Sequence, residues 1–396
     1  MEYELPKSRA IRISAGNVKL LKSPAEFYEF LLTRSRSATQ RIVLSTLYLG
    51  NGTLEQALVE SIDSNLKERG NLQVYLYHTP KLRGLLRHIL PERANEIIGL
   101  QHMKIYVFDD TVLLTGANLS TSYFVNRQDR YVVFKNCKEL ADFFHGVVAA
   151  VGKCSFQLSD RGSIELNPAC SVHPFEGCFA DYRALLRSCI DKVIAALPDQ
   201  ELLPHSLSDT VVYPLLQMGP FEYNEEYNLL IGLFSLQYEK LMFTEGKYSM
   251  DIITAAPKAN GFFGATGTSG YIPSIYSRIS ESVLQLKKRY NRSNVNLYEY
   301  YRDGWTFHAK GLWVETATET ASLMGSSNFG YRSVHRDLEA QVLLVTSNEH
   351  LRDQLKEERN RLFDFASILD EVTLRRTDHH IPMVVRMITR IIRNLF

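Results

Sequence analysis

The segment "GLQHMKIYVFDDTVLLTGANLS" (99–120) places His102 one residue from Lys104, and "WTFHAKGLWVETATETASLMGSSNFGYRS" (305–333) repeats the pair as His308 and Lys310. A single His-x-Lys on a strand is ordinarily a solvated face. The recurrence points elsewhere. The second pair trails the first by 206 residues, Asn328 trails Asn118 by 210, and Asp129 and Glu339 each fall 11 residues beyond their asparagine. Two such sets read as half-sites that meet. Two facing histidines can divide a displacement, one attacking and the other moving the proton. Two lysines supply charge where non-bridging phosphate oxygens would sit. The asparagines add neutral donors. Asp129 and Glu339 are placed to hold each histidine's other ring nitrogen, fixing tautomer and orientation. Such a set suits phosphodiester chemistry.

The elements that must position these residues also repeat. "NVKLL" (17–21), with the following Lys22, reads as a strand running into a helix with Ser23 as N-cap, Pro24 in its first turn and Glu26 completing a capping box. "RIVLSTLYL" (41–49) and "LQVYLY" (72–77) read as strands, and 53–69 as a helix with acids early and bases late. Asp109-Asp110 breaks the opening segment into two strands; a strand at 130–135 and a helix from about 138 to 152 follow. In the second half "DIITAAPKANGFF" (251–263) resembles "VYLYHTPKLRGLL" (74–86), and a helix and the strand "VNLYEY" precede the second motif. The order predicts an α/β protein of two repeated α/β/α sandwich halves related by a pseudo-two-fold axis, with the site at their interface. The expected boundaries are 1–155 and 211–396, joined by a linker region at 156–210 that is richer in Pro, Ser, Asp and Cys.

Composition narrows the function classes. The chain has 396 residues, 45% hydrophobic and 22% charged, as in a globular protein of two domains. A net charge of +1 provides no global field for nucleic acid. No apolar run is long enough to span a bilayer, and the first residues lack an apolar signal core. Five cysteines without a CxxC pair form neither a zinc site nor a disulfide framework, which favours a reducing compartment. No HExxH, P-loop or GxGxxG occurs, so neither metal nor cofactor is expected.

His102-x-Lys104-x4-Asp109 followed by Gly116, and His308-x-Lys310-x4-Glu315 followed by "GSSN" (325–328), resemble the paired motifs of the phospholipase D superfamily. Glu315 replaces the usual Asp, and "GAN" (116–118) replaces the usual GSxN. Both departures, with the long stretches around them, resemble the eukaryotic mitochondrial phosphatidylglycerophosphate synthases, over a span from about residue 18 to the C-terminus. The resemblance implies a catalytic set of His102, Lys104, Asp109, His308, Lys310 and Glu315, with His102 as nucleophile and His308 as acid and base. It implies transfer of a phosphatidyl group from CDP-diacylglycerol to sn-glycerol 3-phosphate through a phosphatidyl-histidine. The implied location is the matrix face of the inner mitochondrial membrane, as a peripheral protein. Related enzymes that use serine, phosphatidylglycerol or water, and a non-enzymatic scaffold docked on a membrane, are the competing readings.

The acceptor phosphate needs a cationic clamp. Lys81, Arg127, Arg130, Lys258, Arg332 and Arg336 lie in or near the motif loops; each is equally readable as a structural ion pair. Tyr48 and Phe234 occupy similar places in the repeats, and Trp305 and Trp313 flank the second motif; core packing is the simpler reading for all four. The tail "IPMVVRMITRIIRNLF" (381–396) sets Arg386, Arg390 and Arg393 on one helical face. Such a helix suits an anionic membrane surface or packs on its own domain, and the sequence leaves both open.

Overall fold

The computed structural model describes residues 10–69, 72–89, 98–159, 161–197, 209–225, 228–229 and 248–392. Phe234, the loops near 70 and 226, and residues 393–396 of the tail lie outside them.

Two mixed-length antiparallel sheets carry the fold. In the first, neighbours run in the order Val18–Leu21, Tyr131–Phe134, Thr111–Thr115, Ile105–Phe108, Ile42–Ser45. In the second the order is Thr210–Met218, Glu339–Thr346, Thr320–Gly325, Leu312–Glu315. The first four strands of one sheet thus follow the order of the other four. The strand Ile11–Ile13 adds to the edge at Thr210–Met218, so an N-terminal strand joins the sheet of the C-terminal half. Met250–Ala255 and Val295–Tyr300 pair in parallel beside it as a separate small sheet with Ala366–Ile368.

Period-two alternation gives the strands two apolar faces. Ile105, Val107, Val112, Leu114, Val132 and Phe134 enter a core shared with Val212, Leu216, Val342 and Leu344 of the second sheet. Tyr106, Phe108, Leu113, Tyr131 and Val133 face the opposite way, onto Phe27, Leu31 and Leu58 of the helices Pro24–Ser37 and Thr53–Arg69. The site is therefore built on strands buried on both sides, not on a solvated face.

Local details depart from the sequence pattern for identifiable reasons. Ser23 caps its helix by accepting from Glu26 N–H, but Glu26 reaches back to Lys22 N–H instead of the N-cap's own. The strand expected over 41–49 stops at Ser45, because Leu47 N–H turns to the side chain of Asn118. Only Tyr75–Leu76 of 72–77 is strand, paired with Phe156–Leu158. The region 156–210 is more than a linker: it holds the hairpin Phe156–Leu158/Ile164–Leu166 and the helix Phe179–Ala195. That helix buries Tyr182, Leu186 and Ile190 in the shared core. All five cysteines are unpaired.

The tail helix Met383–Ile392 follows Ile381, which packs with Val385 on Ile275; Arg386 pairs with Glu281 at 3.1 Å. Met383 and Met387 stay exposed at 77% and 65%. Among the described residues no helix is long and apolar enough to cross a membrane.

Candidate active site

Each half-site is completed by the other repeat. Before the strand Ile105–Phe108 the chain meets the start of Glu339–Thr346: Gln101 bridges Leu338, and His102 N–H donates to Leu338 O at 2.9 Å. This sets His102 Nδ1 at 2.9 and 3.1 Å from the two oxygens of Glu339. Reciprocally, Thr306–Phe307 pairs in parallel with Arg127–Gln128, and His308 N–H donates to Gln128 O at 2.8 Å. His308 Nδ1 then lies 2.7 Å from Asp129 Oδ2.

Both acids are buried. Glu339 accepts from Ser333 Oγ at 2.8 Å and from Ser326 Oγ, whereas Asp129 accepts Arg130 N–H at 2.8 Å. Gly116 is required beside Asp129: a Cβ there would stand 2.8 Å from both carboxylate oxygens and 3.1 Å from Lys310 Cδ. The lysines curl back onto their own motifs. Lys104 Nζ donates to His102 O at 2.7 Å, and Lys310 Nζ to His308 O at 2.8 Å. Lys310 Nζ is also nearly equidistant from the ring nitrogens of His308, at 2.8 and 3.0 Å.

Burial sets the charge states. It pulls His102 down to about 4 against the upward pull of Glu339, and pulls His308, with the help of Lys310, down to about 3. Burial alone would raise Asp129 and Glu339; Lys310 and His308 hold the first, and His102 and Lys104 the second, below the usual carboxylate range. Burial also lowers Lys104 to about 7 and Lys310 to about 8. At neutral pH both imidazoles are neutral, each giving Nδ1–H to a carboxylate and leaving an Nε2 lone pair for chemistry.

These shifts have a consequence for stability. Unfolded histidines titrate near 6.5, so between pH 6.5 and about 4 these two histidines bind more protons in the unfolded chain than in the folded one. Their contribution to stability is expected to fall as pH falls through that window, by up to about 1.4 kcal/mol per pH unit for each histidine, against the smaller opposite pull of Asp337, which burial raises to about 6. Denaturant midpoints across pH 4–7 check this. The double variant His102→Asn/His308→Asn should flatten the slope, and an unchanged slope would refute the cause.

Other expected residues divide into those near the histidines and those with structural work. Asn118 is buried; its Oδ1 accepts from Leu47 N–H at 3.3 Å and its Nδ2 lies 3.5 Å from Tyr123 Oη. Asn328 differs, with an exposed side chain and its N–H bonded to Ser333 Oγ at 3.1 Å. Asp109 and Glu315 are not at the histidines. Asp109 sits at φ 52 in the turn between strands and accepts the N–H groups of Thr39, Gln40 and Arg41. Glu315 is exposed and paired with Arg359.

The cations divide likewise. Arg130 is excluded as an anion ligand because its fork is consumed: Glu358 takes Nε and Nη2 at 2.9 and 2.8 Å, and Leu323 O and Ser322 Oγ accept two further bonds. It stacks on Trp313 at 3.8 Å, so this tryptophan packs a buried ion pair that ties the start of the strand Tyr131–Phe134 to the helix Glu349–Phe363. Trp305 carries Arg302 at 3.7 Å. Arg332 is bound to buried Asp337 at 2.8 Å. Lys81 donates to His335 O at 3.2 Å, and Arg336 lies over Tyr331 at 5.7 Å, both next to the segment that grips His102. Lys258 is exposed in the turn Pro257–Ala259. Arg127 bonds Thr306 Oγ1 at 3.1 Å and stacks on Tyr123 at 4.5 Å. Tyr48 is 43% exposed.

Sequence reasoning passed over Tyr123, whose Oη is 3.2 Å from His308 Nε2 and whose ring stands edge-on to the imidazole at 5.1 Å. It also passed over Ser326 and Ser333. At the 210-residue offset Tyr123 falls opposite Ser333 and Gly116 opposite Ser326, so the mismatches between the repeats were the available signal. Among the described residues, His102, Asp337 and Glu339 offer three possible ligand atoms within 4.8 Å of one another. Asp337 already accepts from Arg332 and from Leu100 N–H at 2.9 Å, and Glu339 from the serines.

No protein-family model matches the chain. It is 37% identical to the human mitochondrial CDP-diacylglycerol–glycerol-3-phosphate 3-phosphatidyltransferase, over 97% of this chain and 84% of that one. It is 30% identical to a probable CDP-diacylglycerol–glycerol-3-phosphate 3-phosphatidyltransferase of Dictyostelium discoideum, over 89% and 73%. Among solved structures, a phosphatidylserine synthase of Haemophilus influenzae Rd KW20 superposes with a TM-score of 0.74 at 19% identity, over 98% of this chain and 95% of that one, and shares the fold.

Proposed function

The chain belongs to the CDP-diacylglycerol–glycerol-3-phosphate 3-phosphatidyltransferase family, and from that premise we propose that it moves a phosphatidyl group in two steps through a phosphatidyl-histidine. The observation that carries the reading is the crossed pair of histidines, each held at Nδ1 by a buried acid of the opposite repeat. His102 Nε2 attacks the phosphatidyl phosphorus of CDP-diacylglycerol. An N–P bond forms, the P–O bond to CMP breaks, and CMP carries away the electron pair. The 1-hydroxyl of sn-glycerol 3-phosphate then attacks the same phosphorus. Its proton passes to His308 Nε2, the N–P bond breaks, and phosphatidylglycerophosphate leaves. Lys104 and Lys310 offset charge on the non-bridging oxygens. Tyr123 Oη and Lys310 Nζ, which both face His308 Nε2, must yield that nitrogen to the acceptor.

The animal relatives are mitochondrial proteins, and we assign this chain to the mitochondrion on that ground, at the matrix face of the inner membrane. Exposed Met383 and Met387 on the basic tail helix support peripheral docking on an anionic lipid surface. Lipid product analysis tests the reaction. With CDP-diacylglycerol in vesicles and glycerol 3-phosphate, serine or water as acceptor, phosphatidylglycerophosphate and CMP are expected with the first. Phosphatidylserine or phosphatidic acid as the main product would overturn the proposal.

A further inference from the structure

We infer that Arg127 is the residue that seats the acceptor's phosphate monoester. The inference rests on the two-step reading above and extends it to an unassigned subsite.

In-line displacement puts the attacking and leaving groups on opposite sides of phosphorus. With His102 on one side, CMP must leave by the other, and the acceptor must enter where CMP left. That side belongs to His308, which takes the acceptor's proton. The acceptor's phosphate lies three carbons from its reacting hydroxyl, so it needs a cation close to His308 that is not already neutralised. Among the described residues the geometry points to one. Arg127 starts the two-residue strand that pairs with Thr306–Phe307, immediately before His308. Its guanidinium stacks at 4.5 Å on Tyr123, whose hydroxyl is 3.2 Å from His308 Nε2. Its charge acts on both His308 and Lys310. Its partners among the described residues, Thr306 and Tyr123, are neutral. A Cβ added at Gly261 would stand 3.4 Å from Nη2, so this loop walls the guanidinium on one side.

Four of the other candidate cations fail on position or charge, and Lys258 is exposed in its turn with its charge acting on Asp378. Arg130 and Arg332 are neutralised by Glu358 and Asp337. Lys81 and Arg336 adjoin the segment that grips His102, the nucleophile's side. A planar, stacked guanidinium suits bidentate recognition of a phosphate monoester, which an ammonium cannot reproduce.

The test compares glycerol 3-phosphate with glycerol, which lacks the phosphate, in the full-length protein and in Arg127→Gln and Arg127→Lys. Arg127→Gln should raise KM for glycerol 3-phosphate about 10- to 100-fold, the range for a lost hydrogen bond to a charged group. The preference for glycerol 3-phosphate over glycerol should collapse by the same factor. Arg127→Lys should recover only part of it. An equal loss on both acceptors would mean a packing role alone and overturn the inference, as would a KM within threefold of wild type in Arg127→Gln. Failure of the two-step reading shows separately: the wild type given CDP-diacylglycerol without acceptor would then release no burst of CMP and carry no phosphatidyl-histidine, while still making phosphatidylglycerophosphate once glycerol 3-phosphate is added.

Discussion

His308→Ala is expected to release up to about one equivalent of CMP and then stop with the phosphatidyl group on His102, whereas His102→Ala should release essentially none. The asymmetry follows from the two leaving groups and from the resting charge states. CMP departs as a phosphate monoester with a second pKa of about 6, as for phosphorylated side chains, so it needs little protonation. A neutral His308, pulled down to about 3 by burial and Lys310, is a poor resting acid in any case. It is available as a base, and the acceptor hydroxyl needs one. Both variants should lose about 10⁴-fold or more in steady-state turnover, so only a single-turnover measurement tells them apart. Rapid quench for CMP and mass analysis of the trapped protein check it. A phosphatidyl adduct on His308 in His102→Ala would reverse the roles. Direct transfer without an adduct in either variant would remove the covalent step.

The site histidines were legible in the sequence because a repeat is a periodicity signal that needs no contacts. The spacing from Asn118 to Asp129 and from Asn328 to Glu339 marks both acids in the sequence alone. What spacing does not carry is partnership. That Glu339 serves His102 while Asp129 serves His308 is a crossing made by two short pairings, Gln101 with Leu338 and Thr306–Phe307 with Arg127–Gln128. Each involves too few residues to leave a pattern. Charged residues were the least legible. Arg127 and Arg130 are neighbours in "NRQDR" (126–130), yet one stacks beside the site and the other is spent on Glu358 from a helix 228 residues away. Asp109 lies within the motif spacing but works as a turn acceptor, because the left-handed turn it occupies points its carboxylate at the N–H groups of 39–41. The strand that ends at Ser45 shows the same limit: a tertiary hydrogen bond to Asn118 overrides the β propensity of "TLYL".

The two acids should fail in different steps when neutralised. Asp129→Asn places an amide where the carboxylate accepted Nδ1–H. Arg130 N–H still requires an oxygen at Oδ1, at 2.8 Å, so the new NH₂ group faces His308. The imidazole must then accept at Nδ1 and carry its proton on Nε2, where it can no longer take one from the acceptor. CMP release should persist while transfer to glycerol 3-phosphate slows by about 10³- to 10⁴-fold, the scale of a triad acid replaced by its amide. Glu339→Gln acts a step earlier. Ser333 and Ser326 each donate to one of its oxygens, so a glutamine leaves one hydroxyl facing NH₂ and loses the paired acceptance that orients His102. With the nucleophile's lone pair compromised, the CMP burst itself should slow by about the same factor. Vesicle binding should be unchanged in both variants, since neither acid reaches the surface. A normal burst in Glu339→Gln, or a lost burst in Asp129→Asn, would mean that the orienting roles are assigned to the wrong histidines, and unaltered rates in either would remove that half-site's orienting role.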